Sequence, residues 1–266
     1  MRLVVLGSGS RGNCAALVAD DGVLLVEAGF SAREVERRAA AAGVPLERLV
    51  GIVLTHEHGD HASGAVRLAT ARRVPLLASP GTLAALGADA IAGPALSAAS
   101  SAACGPFLVR ACPTSHDAAE PLAVAVTGAD GTSVGFATDL GRPTTAVKWL
   151  LRGHAALVLE ANHDEVLLRE SAYPPVVQQR IAGAGGHLSN HDAASLLGEL
   201  VHDGLAHVVL AHLSERCNSE AAARTTIEPA LRRARFRGAL HVARQEASLG
   251  PLVVAPPPAA QLALTF

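Results

Sequence analysis

The sequence is short of aromatic residues: one Trp, one Tyr and five Phe among 266 residues, or 3%. Little is therefore available for the stacked platforms that grip single-stranded nucleic acid, and any core must be aliphatic. Cys14, Cys104, Cys112 and Cys217 form no C-x-x-C pair, and reduced thiols are expected. A formal net charge of −2 gives no global attraction to a polyanion, although a local basic face remains compatible with it. No apolar run approaches the roughly 20 residues needed to span a bilayer. The chain also opens without a charged-then-apolar leader, so a cytoplasmic protein is expected. What is abundant is Leu, Val and Ala. Hydrophobic residues make up 50% of the chain, enough for one large domain over residues 1–250, followed by a Pro-rich tail over 251–266 that reads as extended or disordered.

Hydrophobic patterning predicts a β-meander at the N-terminus, with strands at "RLVVLG", "AALVA" and "VLLVE" around a Gly-Ser loop and a "DDG" turn. "SAREVERRAAAAG" has a Ser cap and a Gly stop and predicts a helix leading to the strand "LVGIVLT". "ASGAVRLATARR" predicts a helix, "VPLLAS" a strand, "PGTLAALG" a short helix and "LSAASSAACG" a loop. A second round follows. Strands at "FLVRACP", "LAVAVTG" and "SVGFATD" precede an alternation of the helices "PTTAVKWLL" and "SNHDAASLLGELV" with the strands "AALVLEA" and "HVVLAHL". A last helix is predicted from about Ser219 to Arg235. Two rounds of meander and strand–helix alternation suit an α/β fold of two mixed sheets packed face to face with helices outside.

The densest chemistry lies in "LTHEHGDHASG", where His56, His58, Asp60 and His61 crowd the end of an apolar strand. Burying so many polar groups costs desolvation free energy that packing does not return, and metal binding is the usual offset. Three further polar residues, His116, Asp139 and His212, each follow or end a predicted strand in the second half. Alone, His116 or His212 reads as an ordinary buried side chain, Asp139 as a turn residue and Asp60 as a helix cap. Together, five imidazoles and two carboxylates match the donors wanted by two borderline transition metals with open positions for water.

The spacing H-x-H-x-D-H after a strand, followed by a later His, Asp and His, resembles the metallo-β-lactamase superfamily and implies its four-layer αββα sandwich. The segments "GSGSRGNC", "THEHGDH", "SHDAAEP", "ATDLG", "LEANHD", "GHLSNHDAA" and "LAHLSERCN", spread from Gly7 to Asn218, make the chain similar to the WalJ/YycJ-like DNA exonucleases within it. This resemblance implies one metal on His56, His58 and His116, a second on Asp60, His61 and His212, and Asp139 between them. Zn or Mn would fill both positions, and a hydroxide held between them would attack the phosphorus of a phosphodiester.

A departing alkoxide still needs a proton. His187 resembles the acid histidine of related tRNase Z and RNase J enzymes, with Glu160 orienting it, and Asp60, His187 and Glu160 form the expected catalytic set. Ser10, Asn13, His163, Ser189 and Asn190 are expected near substrate. Glu160 and Asn190 also read as helix caps, His163 as a solvated loop residue, and "GSGSRGN" as either a phosphate nest or a structural turn. Two positions depart from the family: Glu27 stands where Asp is usual, and Cys217 where Asn is frequent.

His154, His191, His202, His207 and His241 have no recruiting spacing and are expected to be structural or exposed. The basic clusters "AREVERR" and "ALRRARFRG" offer candidate nucleic-acid faces, the second through Arg232, Arg233, Arg235 and Arg237. Phe30, Tyr173 and Phe236 are the candidate stacking residues outside the core, and their scarcity favours a duplex end gripped through phosphate. The expected activity is a two-metal DNA exonuclease. A small-molecule hydrolase of cyclic phosphodiesters or thioesters would share all seven ligands, and a non-catalytic binding module is a remoter reading.

Overall fold

The computed structural model describes residues 1–98 and 101–256. Three strands, β1 (Arg2–Gly7), β2 (Cys14–Ala19) and β3 (Gly22–Val26), form the expected meander. Helix α1 (Ala32–Ala41) follows, capped by the Ser31 hydroxyl accepting from the Glu34 amide. Then come β4 (Leu49–Val53), α2 (Gly59–Ala62), α3 (Ala65–Arg72), β5 (Leu76–Leu77) and α4 (Pro80–Leu86). The helix expected over 62–73 is split at Ser63 and Gly64, where the chain passes so close to the Phe30 carbonyl that a Cβ on Gly64 would collide with it.

The second half runs β6 (Ser101–Cys104), β7 (Phe107–Pro113), β8 (Leu122–Gly128), β9 (Ser133–Ala137), α5 (Thr145–Leu150) and β10 (Ala156–Glu160). It continues through α6 (Glu165–Arg169), α7 (Pro175–Ala182), α8 (Asn190–Leu200), β11 (His207–Ala211), α9 (Glu220–Arg233), β12 (Ala239–Val242) and β13 (Leu249–Val253). The stretch expected as a loop at "LSAASSAACG" contains β6, which pairs antiparallel with β7 from Ser101 opposite Arg110 to Cys104 opposite Phe107. Its small side chains give little hydrophobic signal, and pairing to the neighbouring strand supplies the order. The sheet also extends past the expected boundary at residue 250. Strand β13 pairs with β1, Arg2 opposite Val253, and the remainder of the Pro-rich tail from 257 lies outside the described residues.

The strands form two sheets, ordered β13-β1-β2-β3-β4-β5 and β12-β11-β10-β9-β8-β7-β6. Each is antiparallel where the meander lies and parallel where helices cross over, at β3-β4-β5 and at β9-β10-β11-β12. Alternation sorts the side chains. Leu24 and Val26 of one sheet and Val124, Val126, Phe136 and Val158 of the other fill the space between them. The opposite faces bury Leu25 and Ile52 under α1 and α3, and Ala125, Leu157 and Leu210 under α5, α8 and α9. This is the four-layer αββα arrangement. Each fully buried Leu or Phe contributes about 1.5–3 kcal/mol, so an aliphatic core of this extent holds the strand ends rigidly. The parallel strands of both sheets terminate at one common edge, where ligand sites of α/β proteins form.

Candidate metal centre and cleft

Every polar residue singled out from a strand end reaches this edge. The β4 exit carries Thr55 to His58, and α2 carries Asp60 and His61. Asp139 follows β9, Glu160 closes β10, His212 follows β11 and His116 follows β7. Glu27, Asp139 and His212 have left-handed backbone, with φ of 65°, 56° and 54°. Non-glycine residues rarely adopt this conformation, and it turns each side chain from its strand toward the shared edge. Gly29 serves the same end by absence. A Cβ there would strike the Asp60 carbonyl, which the Asn13 amide meets at 2.8 Å.

Three sets of donor atoms converge within 4.8 Å: His56, His58 and His116; Asp60, His61 and His212; and His56, His61 and Asp139. A fourth convergence, Asp139, Glu160, His187 and His212, differs in kind. Glu160 is fully buried and already saturated. Its Oε2 accepts the Leu140 and Leu188 amides at 2.8 and 3.0 Å, and its Oε1 accepts from His187 Nδ1 at 2.8 Å and His212 Nδ1 at 3.0 Å. Such partners orient imidazoles from outside a metal site and fix their tautomer. His116 Nδ1 donates likewise to the Gly186 carbonyl at 2.9 Å, which frees Nε2.

The other three sets fit divalent cations. His56 Nε2 and Asp139 Oδ2 are buried without hydrogen-bond partners, although such orphans are costly. Asp139 Oδ2 lies 2.8 Å from His61 Nε2 yet off the direction of a hydrogen bond, as two donors sharing a cation would. Electrostatics agree. Burial disfavours charge on His212 and His61, but Asp139 and the carboxylates around them overcome it, raising His212 to about 9 and His61 well above its ordinary value. The same competition between burial and the Glu160 and Asp139 carboxylates raises His187 to about 10. His56, buried with its charge repelled by His61, moves the other way. The cluster thus carries negative charge that calls for cations.

A cleft of about 250 Å³ lies over these residues, and Ser10, His58, Asp60, His116, Asp139, His187 and His212 all line it. The other expected contacts sit deeper. Asn13 accepts from Ser8 Oγ and the Gly9 amide and stands 3.2 Å from His61 Nε2, bracing the loop. "GSGSRGN" is therefore a turn beneath the centre, with Ser8 Oγ accepting the His212 amide at 2.8 Å. Ser189 caps α8, Asn190 exchanges amide hydrogen bonds with Asn218, and His163 is buried with its carbonyl accepting the Asn190 amide. None of Asn13, His163, Ser189 and Asn190 lines the cleft. Sequence reasoning passed over Asn162, Asp117, Ser214 and Arg180, which do, and Tyr173, expected as a stacking residue outside the core, lines it as well. Asn162 and Ser214 each sit two positions past Glu160 and His212, where the motifs themselves pointed. Arg180 belongs to α7, whose Pro174-Pro175 start hides its helical period.

The two departures from the family are accommodated. Glu27 Oε1 accepts the Thr55 amide at 3.1 Å, and Oε2 lies 3.6 Å from His61 Nδ1, so the longer side chain still supports the ligand loop from below. Cys217 is fully buried. The basic clusters fare differently from expectation. Arg37 and Arg38 are paired with Glu34, and the segment Arg232–Arg237 leads into the start of β12, at the opposite end of the sheet from His212.

Fold and site together define a metallo-β-lactamase-type hydrolase, and comparison with known proteins agrees. The model of the metallo-beta-lactamase superfamily matches residues 7–169, and the chain belongs to that family. Within it, the chain is 33% identical over 234 residues to exodeoxyribonuclease YycJ of Bacillus anthracis, covering 85% of this chain and 88% of the relative. It is 30% identical to exodeoxyribonuclease WalJ of Streptococcus pneumoniae, covering 84% and 85%. Among solved structures, the metallo-beta-lactamase fold protein YhfI from Bacillus subtilis superposes with a TM-score of 0.71 at 18% identity, over 94% of this chain and 99% of that one. The short form of human tRNase Z gives 0.62 at 15% identity, over 95% and 100%. These two likenesses concern the fold. Among the described residues, no helix is long and apolar enough to cross a membrane.

Proposed function

We propose that this chain is a binuclear metal-dependent phosphodiesterase, and specifically a DNA exonuclease. The observation that carries the reading is Asp139, whose two oxygens stand between the histidine set His56, His58, His116 and the set Asp60, His61, His212, with His187 poised at the cleft beside them. In this reading each set would hold one Zn or Mn ion, with Asp139 as the ligand shared by both. Bound there, the ions would polarise a phosphodiester oxygen and lower the pKa of the attacking water.

The chain's own residues do the rest. Asp60, whose carboxyl is held ionised against its burial by His212 and His61, orients the water at the cleft floor. Glu160 and Asp139 pin His187 through Nδ1, at 2.8 and 3.2 Å, so Nε2 is the free ring nitrogen and hands a proton to the departing alkoxide. The names of the relatives that align over most of the chain support DNA as the polymer. Labelled DNA and RNA, assayed beside cyclic nucleotides and thioesters with Mn²⁺ or Zn²⁺, test the proposal. Stepwise release of mononucleotides from DNA is expected. Turnover of only the cyclic nucleotides or thioesters would replace it with the small-molecule reading, which the same ligands would serve.

A further inference from the structure

One wall of the cleft is apolar. Tyr173, Val177 and Ile181, from α7 and the turn before it, line the same space as His58, His116 and His187. Tyr173 is the sole tyrosine of the chain, and it stands at the reaction cleft rather than in the core. The other two candidate stacking residues are spoken for: Phe30 is buried with the Arg38 guanidinium 4.0 Å from its ring centroid, and Phe236 packs against the core outside the second sheet. Tyr173 is also held in place. Pro174 restricts its backbone to extended conformations, and the Gln178 side-chain amide donates to its carbonyl at 3.0 Å. The Arg216 guanidinium stands over the ring at 5.3 Å from the centroid, covering one face and bringing positive charge to the rim.

A fixed aromatic surface beside a phosphodiester-cleaving centre matches one feature of a polynucleotide, the flat base one sugar away from the phosphate. We propose that Tyr173, backed by Val177 and Ile181, is the stacking platform for the nucleobase next to the scissile phosphate. This rests on the phosphodiesterase reading and deepens it: the enzyme holds a single unpaired terminal nucleotide, where scarcity of aromatics had favoured a duplex end gripped by phosphate alone. Stacking on an aromatic is tolerant of base identity, which suits the stepwise release of any terminal nucleotide.

The test pairs two variants with two substrates. Oligodeoxynucleotides ending in a normal or an abasic nucleotide are given to wild-type, Tyr173→Ala and Tyr173→Phe holoenzymes, and metal content is measured alongside. Wild type is expected to lose about 10- to 100-fold in kcat/KM on the abasic end, the range set by one base–aromatic stack. Tyr173→Ala should show that loss on the normal end and no further loss on the abasic one, mainly through KM, while Tyr173→Phe behaves as wild type and metal content stays constant. If wild type cuts both ends equally, or Tyr173→Ala is equally impaired on both, the stacking role is wrong and the phosphodiesterase reading stands. Failure of wild type to cut either oligonucleotide would remove both.

Discussion

The two sheets contribute to the centre in opposite ways. The first delivers His56, His58, Asp60 and His61 from the single stretch Leu54–Gly64, and the chain's local path alone brings them together. The second delivers His116, Asp139, Glu160 and His212 from four separate strand ends, and His187 from a loop. There the parallel register does the assembling: Glu160 sits opposite Ala211 and Leu159 opposite Ala137, so the residues just beyond those strands, His212 and Asp139, meet around Glu160. Under the proposed assignment, a locally built half is expected to answer the loss of one donor by losing one ion. A half built by topology shares its members between several tasks, and a loss there spreads.

The largest effect should separate the halves by metal content. Asp139→Ala is expected to deplete both ions and abolish activity, whereas His61→Ala should remove one, as elemental analysis after reconstitution would register. Two ions retained in Asp139→Ala would end the bridging assignment. Next comes His187→Ala, expected to keep both ions and to lose about 10²- to 10⁴-fold in rate, the usual worth of a positioned proton donor. A p-nitrophenyl phosphodiester, whose leaving group needs no proton, should recover most of that loss. Equal impairment on both esters would make His187 a positioning residue instead.

Smaller is an acid-stability effect confined to the first half. Glu34 is held at about 2 by its hydrogen bonds to Arg37 and Arg38, below the ordinary carboxylate value of 4.5. Its contribution is therefore complete above pH 4.5 and fades as the pH falls through 2. It also matters structurally, because Arg38 is 9% exposed and ties Leu6 and Gln245 carbonyls at 3.0 and 2.8 Å. Glu34→Gln should flatten the loss of stability on acidification in that window, read as thermal midpoints of the metal-free protein against pH. An unchanged profile would assign acid sensitivity elsewhere. The smallest effect is expected from Arg232→Glu with Arg235→Glu, since these residues lie at the far end of the sheet. The salt dependence of DNA binding should be nearly that of wild type, and a slope flattened by one or two units would return this helix to the interface.

Much of this was legible in sequence. β7 and β8 match the expected "FLVRACP" and "LAVAVTG" residue for residue, because long alternating runs of Val, Leu and Ala admit one reading. The ligand candidates were legible for a different reason: histidines at strand ends carry a desolvation cost that only a site explains. What escaped was set by tertiary partners. β6 is a strand because β7 is beside it, β13 because β1 has a free edge, and α6 and α7 are too short and too broken by Pro174 and Pro175 to show a period. The depth of Asn13, His163, Ser189 and Asn190 was likewise invisible, since a motif gives proximity along the chain and not which face of a turn meets the solvent.

The left-handed backbone at Glu27, Asp139 and His212 places limits on how this enzyme can be improved. Each such residue costs on the order of 1 kcal/mol or more relative to an unstrained position, and glycine would relieve it. At each of the three, the substitution that calms the backbone removes a carboxylate or imidazole that the proposed centre would use. Selection for heat resistance and selection for turnover therefore pull against each other at this one edge. Thermostable descendants are expected to gain their margin in the helices and loops far from it, leaving these three strained positions as they are.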